Sequence, residues 1–404
     1  MVLDSLVRRI FHPARRPRQI ALVTPLPPER TGIADYSHRL AIESGGVFQL
    51  YAAPAARELH LGAISTAPAG RNVRPLRRLG GDLHREMAAA VVMVGNSRHF
   101  VPILESIADM PGDPHGAPVI LYLHDVFLLS LLGLVSAAPQ LMATLSADHG
   151  RTIPAPAGPD EIVALVNQSV YGAAAIAKWL KPDLVLVNSA SSKRILESEP
   201  GWPGHVRVEA VFHPVFPSRQ RWQRGAGGMG IRVGSFGVSN PFKQFDVVIE
   251  AHRLLKQQDP DATLVLAGYG METFAREANL AGVPGIEVHE SPSDEALGSL
   301  MASVDIAVRL RAADLGETSG MVARLLAVGT PVIVSPIGAS LDLGEAVAFV
   351  SPRADAAELA QLIAREVAQP GHRADAVRAL LARRSPGQLV ASIVDLAQGI
   401  RSMP

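Results

Sequence analysis

The stretch Asp305–Ser335 reads DIAVRLRAADLGETSGMVARLLAVGTPVIVS. Asp305 to Leu310 has the short apolar pattern of a buried strand. Met321 to Val328 has the spacing of an apolar helix, closed by Gly329-Thr330-Pro331, and Pro331 to Ser335 reads as a second strand. Strand, helix and strand in that order form a crossover, the building unit of a parallel sheet. Between the first strand and the helix stands Gly316-Glu317-Thr318-Ser319-Gly320. The first amides of a helix lack an intrahelical partner and carry the positive end of its dipole, so Thr318, Ser319 and Gly320 are candidate donors to a phosphate. Glu317 beside them would be repelled by a phosphate alone, but it suits the hydroxyl groups of a sugar attached to one. Capping of the helix by Glu317 is the competing reading.

The same alternation extends outward in both directions. Downstream of 230, strand patterns at Ile231–Phe236, Thr263–Ala267, Ile286–His289 and Ala346–Val350 join the two already named. Helical patterns lie between them, including Phe245–Gln257 and Asp294–Ala302. Upstream, Gln19–Thr24, Val47–Ala52, Ala90–Gly95, Val119–His124, Leu184–Asn188 and Val206–Val211 alternate with helical segments such as Ile33–Ile42, Arg98–Ala108 and Glu161–Trp179. Residues 217 to 230, rich in charge and glycine, break every periodicity and read as a linker. The expected organisation is a tail over 1–18, a Rossmann-like domain over 19–216, the linker, a second such domain over 231–385, and a terminal helix over 386–404 that crosses back to the first domain. In open α/β sheets ligands sit outside the carboxyl ends of the strands, which is where the candidate residues fall.

Composition narrows the function. The 404 residues are 48% apolar, and 38 basic side chains balance 38 acidic ones, so no general affinity for nucleic acid is expected. Without cysteine there are no disulfides, zinc ribbons or thiol nucleophiles. No secretory leader and no apolar run long enough to span a bilayer is present, so a cytoplasmic protein is expected. The positive charge is uneven. Arg8, Arg9, Arg15, Arg16 and Arg18 interleave with apolar residues, and Arg71, Arg74, Arg77 and Arg78 cluster further on. An amphipathic basic tail can lie on an anionic membrane face, here the inner one; a solvated terminus is the alternative.

Ordered landmarks in the second half resemble the donor-binding domain of retaining glycosyltransferases with the GT-B fold, specifically family four. They are Ser235-Phe236-Gly237-Val238 with Pro241-Phe242-Lys243, Leu264 to Gly270, Ser293 to Leu297 with Val304-Asp305-Ile306, Glu317 to Gly320, and Ala327 to Ile333. The first half carries fainter counterparts in Thr24-Pro25 with Arg30 to Ser37, in Gly95 to His99, and in Leu123-His124-Asp125. The resemblance implies an α/β protein of two Rossmann-like domains facing each other across a cleft. It implies a nucleotide-diphosphate sugar held by Gly237, Lys243, Gly268, Thr318, Ser319 and Gly320, with Glu317 and His124 at the transferring sugar. Thr31, Gly32 and Asp35 would form a loop towards the acceptor or the diphosphate, with Gly32 allowing close backbone approach.

Two departures stand out. Family members usually carry a second glutamate eight residues after the first, for the ribose hydroxyls. Counting from Glu317 gives Leu325, and aligning on Gly329-Thr330-Pro331 puts Gly316 and Arg324 in the two places. Arg324 is then the candidate ribose contact. The family's frequent arginine five residues before the lysine is Val238 here, which leaves Lys243 as the expected principal cation. The implied reaction is metal-independent retaining transfer, with no cofactor, to a glycan or lipid-linked oligosaccharide in surface polysaccharide biosynthesis. A catalytically silent sugar-binding scaffold is the alternative.

Overall fold

The computed structural model of the protein describes residues 18–27, 29, 31–53, 73–110, 116–223, 229–280 and 282–401. Residues 1–17 of the basic tail, Arg71, and residues 224–228 of the linker lie outside the described residues. Two compact units are formed. The described residues of the first fall within 18–212, Leu315–Thr318 and Pro386–Arg401, and those of the second within His213–Asp314 and Ser319–Ser385.

In the first unit β1 (Ile20–Val23), α1 (Gly32–Glu43), β2 (Phe48–Ala52), β3 (Arg74–Pro75), α2 (Leu79–Arg85), β4 (Ala89–Val94), α3 (Val101–Ala108) and β5 (Val119–Leu123) alternate in order. Four helices follow before β6: α4 (Leu129–Leu132), α5 (Ala138–Asp148), α6 (Pro159–Val166) and α7 (Ala173–Leu180). Then come β6 (Leu184–Val187), α8 (Ala190–Ser198) and β7 (Arg207–Ala210). The strands form one sheet in the order β3-β2-β1-β4-β5-β6-β7, parallel throughout. Its central strands are apolar at every position and buried on both faces, as Ala89–Val94 shows, because helices cover both sides.

The second unit runs β8 (Arg232–Phe236), α9 (Phe245–Gln258), β9 (Thr263–Gly268), α10 (Met271–Glu277), β10 (Ile286–Glu290), α11 (Asp294–Ser303), β11 (Ile306–Arg309), α12 (Gly320–Val328), β12 (Val332–Val334), β13 (Ala348–Phe349), α13 (Ala356–Ala368) and α14 (Ala374–Arg383). Its parallel sheet has the order β10-β9-β8-β11-β12-β13. The last helix, α15 (Pro386–Arg401), packs against α1 in the first unit.

Strand order reverses between β1 and β4 in one sheet and between β8 and β11 in the other, and these switch points open a crevice at the carboxyl edge. One expected helix differs. Glu161–Trp179 is interrupted after Val166, with Ser169 at φ 57° and Gly172 at φ 86°. The buried Glu199 carboxylate accepts the amides of Tyr171 and Gly172 through one oxygen and that of Ala174 through the other. A tertiary carboxylate thus starts a new helix where local apolar spacing alone suggests a continuous one. The two-residue edge strand β3 was also not expected, because its Arg-Pro sequence carries no strand pattern.

Candidate active site

In the second unit the chain leaves β8 at Gly237, whose φ of 118° suits a residue without Cβ. A Cβ there would stand 3.2 Å from Met321 in the first turn of α12 and 3.6 Å from Nη2 of Arg309. Gly268, at the end of β9, has φ 154°, and a Cβ on it would lie 2.1 Å from the Gly237 carbonyl oxygen. Its bareness therefore lets the two strand ends touch, and the Gly237 amide donates to Ala267 at 2.8 Å. The amides after Gly268 are already engaged: Gly270 and Glu272 donate to the Glu290 carboxylate at 2.9 and 3.0 Å. Gly268 thus shapes the Gly237 turn.

The turn continues to Asn240, whose side chain accepts the amide of Phe242 at 3.1 Å and starts a short 3-10 turn, Pro241–Lys243. This turn folds the Lys243 side chain inward, where Nζ donates to the Val238 carbonyl at 2.8 Å. An ammonium has three donors, so two remain after that bond. Burial, then the positive charges of Arg309 and Arg311, push the Lys243 pKa down to about 7.

Arg309 is the last residue of β11 and only 6% exposed, although the strand before it is apolar. Its Nε and Nη1 have no hydrogen-bond partner among the described residues. Arg311 follows on the same edge, with its amide donating to the Ser335 hydroxyl at 3.0 Å. Neither arginine was expected. The only sequence signal for Arg309 is a charge inside a strand otherwise apolar from Ile306 to Leu310.

Helix α12 begins beside them. Ser319 is its N-cap, its hydroxyl accepting the Val322 amide at 3.3 Å, and the amides of Gly320 and Met321 have no carbonyl four residues back within the helix. Gly237, Gly268, Lys243 and Arg309 therefore gather at the β8/β11 switch point, with the first turn of α12 next to Gly237. Arg324, one turn further along, points elsewhere: its Nη2 pairs with Asp294 on α11 at 2.8 Å. Leu325, in the other register, is fully buried.

In the first unit Thr31 is the N-cap of α1, accepting the Ile33 amide at 3.0 Å. Gly32 is the first helical residue, and a Cβ on it would meet nothing within 4 Å. Asp35 is exposed in the first turn of the same helix. Tyr36, on the buried side, presents its ring edge to His124 at 4.6 Å, and His124 stacks on Tyr122 at 4.7 Å. His124 follows β5 and is buried, with Nε2 at 3.3 Å from Met93 Sδ and Nδ1 at 3.5 Å from the Asn188 amide nitrogen. Tyr122 donates to Asn188 at 2.6 Å. The histidine is thus clamped by two tyrosines and an asparagine.

The segment Leu315–Thr318 belongs to this unit. The Leu315 carbonyl accepts from Phe127 at 3.4 Å and that of Gly316 from the Ser192 hydroxyl at 3.0 Å. Gly316, at φ 69°, lies so close to Val126 that a Cβ would be 1.8 Å from it. Glu317 is thereby brought to the β5 end that also carries His124, whereas Ser319 and Gly320 belong to the second unit. The boundary between the two units thus falls between Thr318 and Ser319. Thr318 precedes the cap, and its buried hydroxyl has no partner among the described residues. A further pair went unread: His99 Nδ1 lies 2.8 Å from Glu29, joining the loops after β1 and β4. Among the described residues no group of His, Asp and Glu side chains could hold a metal ion.

Comparison with known proteins bears on the second unit most directly. Residues 230–369 match the sequence model of the family "Glycosyl transferases group 1". No curated protein is similar enough in sequence to match the chain. Among solved structures the chain resembles Anabaena HepE in complex with UDP and glucose, with TM-score 0.63 and 15% identity over 95% of this chain and 100% of that one. Sucrose-phosphate synthase from Thermosynechococcus elongatus gives 0.61 and 15% over 95% and 99%. An α,α-trehalose-phosphate synthase (UDP-forming) from Burkholderia xenovorans, in complex with glucose-6-phosphate, gives 0.58 and 12% over 95% and 100%. Two α/β units, each built on a parallel sheet, are thus observed as expected, and the fold resembles those of these structures.

Proposed function

We propose, from the match of residues 230–369 to the family "Glycosyl transferases group 1", that the protein transfers a sugar from a nucleotide-diphosphate donor held at the carboxyl ends of β8 and β11. The observation that carries this reading is Lys243 folded onto the Val238 carbonyl at the end of β8, next to Gly237, whose turn lies against the first turn of α12. Breaking the glycosidic C–O bond builds negative charge on the departing diphosphate. Fixed donors aimed at that charge lower the barrier because they need not reorganise as it develops. Lys243 and the Gly320 and Met321 amides are such donors, and they supply this stabilisation from the chain's own residues, without a required metal or cofactor. Glu317 would orient hydroxyls of the transferring sugar and His124 would hydrogen-bond the sugar. The tyrosine and asparagine clamp restricts the imidazole to one position.

Retention of configuration follows the family-four resemblance. For the acceptor we favour a hydroxyl of a glycan or lipid-linked oligosaccharide in surface polysaccharide synthesis, with Thr31, Gly32 and Asp35 on the acceptor or diphosphate side. The cytoplasmic face of a membrane, reached through the basic residues 1–18, is the matching location. The UDP bound to Anabaena HepE makes UDP the first nucleotide to try. Calorimetric titration with UDP, GDP and ADP in EDTA tests the reading: one nucleotide binds, and Lys243→Ala loses it.

A specific observation favours a second reading. With Arg324 paired to Asp294 and Leu325 buried, neither register offers a ribose carboxylate. A silent sugar-binding scaffold would bind without turnover, so nucleotide binding combined with no diphosphate release from any sugar donor would select it.

A further inference from the structure

Arg309 is difficult to explain as a structural residue. It ends a central strand, is 6% exposed, and leaves Nε and Nη1 unpartnered among the described residues. Burying an unpaired charge is unfavourable, and apolar residues of similar volume are generally better tolerated at such positions. Its surroundings increase the difficulty, since Arg311 and Lys243 lie near enough to act on it or be acted on by it, and both are cations. The guanidinium lies beside the Gly237 turn. Nη2 is 3.6 Å from the place a Cβ on Gly237 would fill, and that same place is 3.2 Å from Met321 in the first turn of α12. Glycine at 237 thus keeps a side chain out of the gap between this guanidinium and the Met321 side chain in the first turn of α12; a buried guanidinium and a helix amino end attract the same ligand chemistry.

We propose that Arg309 is a binding residue for the pyrophosphate part of the donor, acting together with Lys243 at the β8/β11 switch point. The inference rests on the donor-site reading above and deepens it by assigning a second cation to the same anion. A planar guanidinium presents parallel N–H donors to two phosphate oxygens, which a lysine cannot do. The diphosphate balances the mutual repulsion of Arg309 and Lys243, so the site is matched to a ligand carrying at least two negative charges. Recognition of the phosphates and of the nucleoside should then be separable.

The test uses the full-length protein with Arg309→Met and Arg309→Lys, titrated with UDP, pyrophosphate and uridine. Arg309→Met is expected to weaken UDP and pyrophosphate by about 10- to 100-fold, the range of a hydrogen bond to a charged group. Uridine binding stays unchanged, and the ligand-free thermal midpoint rises because an unpaired buried charge has gone. Arg309→Lys retains the charge and recovers part of the affinity. Equal loss for uridine and UDP would make Arg309 a structural residue and overturn the proposal, as would unchanged UDP affinity in Arg309→Met. Should Arg309→Met fail to fold, Arg309→Lys decides alone, since wild-type affinity for both phosphates in that variant would contradict a bidentate role. If the wild-type protein binds no nucleoside diphosphate at all, the donor-site reading itself fails.

Discussion

Lys243 links the chemistry of the site to pH. Burial and the guanidinium groups of Arg309 and Arg311 lower it to about 7, whereas a diphosphate beside it would favour the charged form. Above pH 7 the ligand-free ammonium is largely neutral, so binding draws a proton from solution. UDP affinity is therefore predicted to fall as pH rises from about 7 to 9, with proton uptake visible in buffers of different ionisation enthalpy. Lys243→Arg should flatten that dependence. Folding shows the opposite slope: the unfolded chain holds the proton that the native protein releases, so stability rises with pH from about 7 towards the ordinary lysine range. Two glycines make a paired prediction. Gly268→Ala places a Cβ 2.1 Å from a backbone oxygen and should destabilise the protein by about 2–4 kcal/mol in denaturant melts. Gly32→Ala meets open space in the first helical turn, so stability is kept or slightly raised, and a loss of transfer activity would show that this face receives a ligand. At this scale the sequence singled out Lys243 through its Pro-Phe-Lys setting, which resembles a known family's, and the structure buries that side chain. Arg309 was not, because one charged residue at a strand end discloses neither its burial nor its neighbours.

Among the elements, strands were legible wherever they are buried on both faces, since apolar runs such as Ala89–Val94 have no other stable place. The helix boundaries set by distant residues were not. Glu161–Trp179 has continuous helical spacing, yet Glu199 lies 25 residues or more away in sequence and captures the amides at the start of α7. Burial raises this carboxyl to about 7, outweighing the amides that favour its charged form. Between the ordinary glutamate value and 7 the native protein holds a proton the unfolded chain has released. Stability should accordingly fall by roughly 3 kcal/mol as pH rises from 4.5 to 7, and chemical denaturation of Glu199→Gln should show that slope removed. The Asp294–Arg324 contact is a milder case. It is largely exposed at Asp294, so Asp294→Asn should change stability by no more than about 0.5 kcal/mol while freeing Arg324 for any ribose contact.

For the whole molecule, the alternation of strands and helices disclosed two parallel sheets, and the ordered landmarks pointed to the second half, where residues 230–369 match the family "Glycosyl transferases group 1". The grouping of Leu315–Thr318 with the first unit was hidden, because Gly316 is required by Val126, almost 200 residues earlier. Residues 316–320 read as one motif in sequence, while the boundary between the units falls between Thr318 and Ser319. Deletion of residues 1–18 should abolish sedimentation with anionic liposomes if the tail anchors the protein, and leave soluble-donor hydrolysis unchanged. The central claim, that Lys243 and the α12 amino end hold the leaving diphosphate of a sugar donor, is tested most directly by release of that diphosphate. UDP-glucose, GDP-mannose and ADP-glucose would each be incubated with the protein in EDTA, alongside Lys243→Met. One donor is predicted to release its nucleoside diphosphate with the wild-type protein and at least about 100-fold more slowly with the variant. No release from any donor, or release that Lys243→Met leaves unchanged, would contradict the account.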